Sequence, residues 1–155
     1  MEIKGMKKFR QDLQNAVNYL GLSEKVKVNL DAVDASKPFK NKIYVGILNA
    51  PHHAEAYMDN LRKEHPNAEP LSPMAYAILH EVGHVYTKNA VKDDEAERLS
   101  AMMEGTNEAY FALNSERAAT QWAVDFAKDH SNAATWFDAL VTAAFDRFIN
   151  RNRKD

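Results

Sequence analysis

Cysteine is absent from this chain of 155 residues. Disulfides are therefore excluded, and so is any metal site built on thiolates; a bound metal would have to use His, Asp or Glu. The absence also fits a reducing, cytoplasmic setting. An excess of one charge is lacking too. Lys and Arg number 20 against 22 Asp and Glu, a net of −2. That balance offers no basic footprint for nucleic acid, and the short run Arg151-Asn152-Arg153-Lys154 reads as a solvated helix end. No apolar stretch reaches the ~18 residues of a membrane span. Met1-Glu2-Ile3-Lys4 leads into no long apolar run, so no signal peptide is expected.

What is present suits one globular domain spanning residues 1–155: 45% hydrophobic and 27% charged residues. Met6, Phe9, Leu13, Ala16, Val17 and Leu20 recur at helical spacing, and Gly21 follows as a stop, which predicts a helix over about 4–20. Val26, Val28 and Leu30 then alternate with Lys25, Lys27 and Asn29, as a half-buried strand does. Ile43 to Leu48 reads as a second strand, apolar on both faces. About ten residues separate the two, and antiparallel pairing is expected. Pro51 opens a helix with Ala54, Tyr57, Met58 and Leu61 on one face.

Ser72-Pro73 is a start signal, serine as cap and proline at the first helical position. The helix it opens carries the chemistry. Asp93 or Asp94 suits a cap for a short helix ended by Gly105. Thr106 suits a cap for a long helix to about Lys128, with Asn114-Ser115 as a point of interruption, and Ser131 for a last helix to about Asn150. The pattern is α+β, with few, early strands followed by helices.

His80-Glu81-Val82-Gly83-His84 is an H-E-x-x-H motif. Two histidines four apart on a helix differ by about 40° around the axis and roughly 6 Å along it, so both imidazoles can share one metal ion. Glu81 is rotated about 100° from His80, away from ligation but within reach of a water on the metal. The flanks Ala77-Ile78-Leu79 and Val82-Gly83, Val85-Tyr86 are apolar, which predicts a buried helix. Burying a carboxylate and two imidazoles costs several kcal/mol unless they are paired or on metal. Gly83 costs about 1 kcal/mol relative to alanine in mid-helix, which calls for close approach of another backbone.

The third ligand read from the chain is Glu116. On a continuous helix it shares a stripe of small residues with Ala112, Ala119 and Ala123, which would let two helices approach closely. Glu104 and Glu108 are weaker rivals, and Asp93 and Asp94 read as caps. The metzincin extension is absent, since Thr87 and Ala90 stand where its glycine and third histidine would be. Tyr57, Tyr86, Tyr110, His52, His53 and His130 are the open choices for a donor to developing negative charge. Trp122 and Trp136 read as core.

His80-Glu81-Val82-Gly83-His84, followed about 30 residues later by Glu116, Ala119, Trp122 and Ala123, resembles the gluzincin-type metallopeptidases, and more narrowly the ImmA/IrrE-like group. Thr120 stands where that group often carries Asn or Asp. The resemblance implies a zincin-like α+β domain, mostly helical, with a small N-terminal antiparallel sheet packed near the active-site helix. It implies Zn2+ on His80, His84 and Glu116, with Glu81 as general base. The expected activity is hydrolysis of peptide bonds in a specific intracellular protein, a regulator being the substrate class implied, with neither nucleic acid nor membrane as partner. The alternative is a non-catalytic module that keeps the fold to bind a regulatory protein.

Overall fold

A computed structural model describes residues 5–31, 42–46, 50–88 and 93–152. Helices dominate. In chain order the elements are α1 (Met6–Tyr19), β1 (Lys27–Asp31), β2 (Lys42–Gly46), α2 (Ala50–Glu64), α3 (Pro73–Thr87), α4 (Glu95–Glu104), α5 (Asn107–Phe111), α6 (Asn114–Asp129) and α7 (Ser131–Asn152). No described helix is long and apolar enough to cross a membrane.

The two strands pair in parallel, not antiparallel, with Val28 opposite Ile43 and Leu30 opposite Val45. The connection explains why a hairpin was not forced. Residues 32–41 are too many for a tight turn, and ten residues reach up to about 33–36 Å, enough to return along a five-residue strand of roughly 17 Å. The apolar character of residues 43–48 on both faces is itself the composition of a parallel strand buried on both sides. Residues 47 and 48 of that expected strand lie outside the described residues.

α1 lays Phe9, Leu13, Ala16 and Val17 into the core, as its spacing predicts. Its partner is α7. Phe9 stacks on Phe148 at 4.4 Å and meets Phe145 edge-on at 4.8 Å. Buried Asp12 is held between Lys8 and Arg147, each at 3.3 Å. α2 buries the expected Ala54, Tyr57, Met58 and Leu61.

α3 is the central element, packed by α6, α2, α7 and β2. Ser72 caps it as expected, accepting from Ala75 N, and Pro73 follows at the first position. Asp138 of α7 secures that cap, accepting from both Ser72 N and Ser72 Oγ. Asp94 caps α4 and Gly105 ends it in the left-handed conformation. The long helix expected from Thr106 is two helices. α5 stops at Phe111, and α6 starts anew at Asn114 behind Leu113, which offers no side-chain cap. Asp93 supplies the missing acceptor from 22 residues away, taking hydrogen bonds from Ser115 N at 2.9 Å and Ser115 Oγ at 2.6 Å. Ala112 is therefore off the α6 stripe. Trp136 is 61% exposed rather than core.

Candidate metal centre

Glycine at position 83 brings α3 and α6 together. A Cβ on Gly83 would lie 2.5 Å from the backbone oxygen of Ala119 and 3.1 Å from its carbonyl carbon and Cα. The helices therefore meet backbone to backbone, with Ala119 and Ala123 fully buried at the contact. This is the close approach that a mid-helix glycine calls for. Beside this contact stand the polar groups that the approach brings together: His80, about one turn before Gly83, and the adjacent His84 on α3, and Glu116, about one turn before Ala119, on α6.

Four polar side chains are buried among the described residues: Asp12, His80, Glu116 and Thr120. Of these, His80 touches both Glu116 and Thr120. The Nε2 of His80 lies 2.9 Å from Glu116 Oε1, and the Nε2 of His84 lies 3.0 Å from Glu116 Oε2. The two rings stand nearly perpendicular, 4.7 Å between centroids. His80 turns its other nitrogen, Nδ1, to Thr120 Oγ1 at 3.1 Å. The buried Tyr57 hydroxyl donates to the same Thr120 oxygen at 3.2 Å, and its ring lies 4.6 Å from that of His80. Thr120 is thus the residue that orients His80.

The charges follow from these contacts. Burial pushes the Glu116 carboxyl up, but hydrogen bonds from His80 and His84 outweigh it and hold the group well below the usual carboxylate range. Burial pulls the His84 imidazole down, and the Glu116 hydrogen bond and charge more than reverse this, with Glu81 and Asp93 adding to them. Glu81 behaves in the opposite way to Glu116. Burial of its carboxyl raises its pKa, against the lowering by His80 and His84. Two carboxylates in one site are therefore driven apart, one firmly ionised and one poised to carry a proton.

The ligating atoms of His80, Glu81 and His84 lie within 4.8 Å of one another, close enough to hold a metal ion. Glu116 meets the same two histidines, so both carboxylates border the position between the imidazoles. The donor set fits a divalent metal. Tetrahedral ligands about 2.0–2.2 Å from an ion lie ~3.3–3.6 Å apart, roughly half an ångström beyond the 2.9 and 3.0 Å seen here. Thr120 Oγ1 can accept from His80 Nδ1–H, which leaves the Nε2 lone pair for an ion.

Among the open choices for an anion donor, Tyr110 is at the site. Its hydroxyl hydrogen-bonds Glu116, and burial of that end, then the charges of Glu116 and Glu81, raise its pKa so that it keeps its proton. The residue as a whole is 41% exposed. Tyr86 is committed elsewhere, to Ser23 Oγ and Glu24 N. His130 meets Phe126 at a tilt just past the far end of α6. The side chains of His52 and His53 lie outside the described residues. Glu104 and Glu108 are exposed, and no contact brings either to the histidines among the described residues. Thr120 was the site residue that sequence reasoning did not assign; its place four residues after Glu116, on the same face of α6, was the available signal.

Comparison with protein-family models, curated proteins and solved structures finds no match to this chain.

Proposed function

We propose that the chain is a zinc-dependent endopeptidase acting on a specific protein substrate. One observation carries the reading. Two imidazole Nε2 atoms converge on one buried carboxylate, Glu116, with a second carboxylate of raised pKa, Glu81, alongside. A structural metal site needs the first three groups but not the fourth. His80, His84 and Glu116 would hold the ion, the two-histidine, one-glutamate set of an open catalytic site. Zinc, when bound, supplies a Lewis acid for the peptide carbonyl and a water acidic enough to ionise near neutral pH.

The chain's own groups do the rest. Glu81 takes a proton from the attacking water onto its carboxylate and returns it to the departing amine nitrogen. Burial raises its pKa, which makes its carboxylate a stronger base than an ordinary glutamate. The Tyr110 hydroxyl, kept protonated, donates to the negative charge that develops on the carbonyl oxygen. Thr120 fixes the orientation of His80, and Tyr57 fixes Thr120.

Metal analysis of the purified protein tests this together with substrate cleavage. About one zinc per chain is expected, kept in Glu81→Gln and lost in His80→Ala, with cleavage lost in both. Absence of metal after chelator-free purification would overturn the reading. Zinc with undiminished function in Glu81→Gln would instead make the domain a binding module.

A further inference from the structure

The first turn of α6 carries Glu116, and what that carboxylate can do depends on which groups cap the turn. Leu113, the residue before the helix, makes no side-chain cap. Asn114, Ser115 and Glu116 are the first three helical residues. A glutamate in the third position is a capping residue by default, because its carboxylate can reach back to N–H groups that the first turn leaves without partners. The positive end of the helix dipole draws it the same way. Glu116 does not turn back. Its two oxygens go to His80 and His84 at 2.9 and 3.0 Å.

Other groups fill the capping role. The N–H of Leu113 donates to the Tyr110 carbonyl at 3.2 Å. The N–H of Ser115 donates to Asp93 Oδ1 at 2.9 Å, and the Ser115 hydroxyl donates to Asp93 Oδ2 at 2.6 Å. Asp93 is built into this place. It lies outside any helix, yet its side chain is only 3% exposed, and Arg98 of α4 holds its Oδ2 at 3.3 Å. A buried carboxylate that accepts from a backbone N–H, a hydroxyl and a guanidinium is fixed in position, as a solvated surface cap is not. Its charge also reaches the His84 imidazole.

We propose that Asp93 is a positioning residue of the metal centre: by capping α6 in place of Glu116, it leaves the Glu116 carboxylate to His80, His84 and a metal ion. Without Asp93 the Ser115 N–H has lost its acceptor, and the carboxylate next to it in sequence is that of Glu116. Each time Glu116 turns back to the helix end, the centre has two ligands instead of three. The proposal rests on the metal-binding part of the peptidase reading and not on cleavage.

Zinc affinity is measured on the full chain by competition with a fluorescent chelator, well below the thermal midpoint so that every variant is folded. Asp93→Ala is expected to weaken zinc binding at least about tenfold, the lower end of what losing a group that orients a ligand costs. Asp93→Asn keeps an acceptor for the Ser115 N–H and should restore most of the affinity. Asp94→Ala removes the neighbouring cap, that of α4, and should bind zinc like the parent. In the Glu116→Ala background, Asp93→Ala should cost less than about twofold, because a residue that acts through Glu116 has nothing left to act on. Cobalt in place of zinc adds a spectroscopic reading: the visible bands of Asp93→Ala should move towards those of Glu116→Ala as the carboxylate gives way to water. Undiminished zinc affinity in Asp93→Ala overturns the proposal and leaves the metal reading standing. An equal loss in Asp94→Ala also overturns it, since the effect is then one of helix stability. So does the same cost of Asp93→Ala with and without Glu116. A parent chain that takes up no zinc removes both the proposal and the metal reading.

Discussion

Gly83 carries two opposed effects whose sizes can be compared. Alanine in an exposed helix interior is about 1 kcal/mol better than glycine. At position 83 the added methyl would meet the Ala119 carbonyl oxygen at 2.5 Å, and backbone cannot step aside as a side-chain tip can. Overpacking of a tight core costs typically 1–3 kcal/mol, so the clash outweighs the propensity. Gly83→Ala is expected to lower the urea midpoint and to loosen metal binding, because α6 must move and takes Glu116 with it. A variant as stable as the parent would show that the helices do not meet there. Thr120 is a second residue with an outsized role. Thr120→Val keeps the shape but leaves the buried Tyr57 hydroxyl and His80 Nδ1 without their shared oxygen. Loss of such an orienting contact typically costs 10–100-fold in metal affinity. Competition against a fluorescent zinc chelator should show that loss in Thr120→Val and its recovery in Thr120→Ser, which restores the hydroxyl.

At the scale of elements, local signals were legible and distant ones were not. Ser72-Pro73, Asp94 and Gly105 mark their helix ends through bonds to residues a few positions away, so the sequence displays them. The break between α5 and α6 depends on Asp93, which caps α6 across 22 residues. Periodicity alone therefore joins two helices into one. The parallel pairing of β1 and β2 is likewise a non-local contact, which no local pattern records. The H-E-x-x-H half of the site lies on one helix and could be read directly. Glu116 was legible through Ala119 and Ala123, while the Tyr57–Thr120–His80 chain joins three elements and was not. The entry to α3 offers a pH test of its anchoring. Tyr76 is fully buried and donates to the Glu69 carbonyl at 2.6 Å. Burial, then the charges of Glu69 and Asp138, push its phenol up from 10.0 to about 12. A raised folded pKa means that the stabilisation is complete below pH 10 and is lost as pH climbs towards 12. Tyr76→Phe should cost about 0.5–1.5 kcal/mol at neutral pH. That difference from the parent should shrink between pH 10 and 12 in urea titrations; a constant difference would place the phenol's ionisation elsewhere.

For the molecule as a whole, the centre lies across the α3–α6 interface, so an ion there would be part of the fold's stability. Among the described residues, Glu116 meets the two imidazoles and the Tyr110 hydroxyl. An ion that binds the folded chain alone stabilises it by RT ln(1 + [M]/Kd), about 4 kcal/mol at a thousandfold excess over Kd. In a chain of this size each kcal/mol moves the midpoint of thermal unfolding by about 2–4 °C. Removing metal with a chelator should therefore lower the midpoint by roughly 8–16 °C, and adding zinc back should restore it. His80→Ala should show no response to either step, since one ligand is gone and the partner of Glu116 with it. Leu99→Gln/Met102→Gln/Met103→Gln should respond like the parent, because α4 contributes no buried residue to the body that the ion ties together. A chelator-insensitive midpoint in the parent would mean that protons, not metal, hold His80, His84 and Glu116 together, and that their convergence is a structural ion pair between two helices.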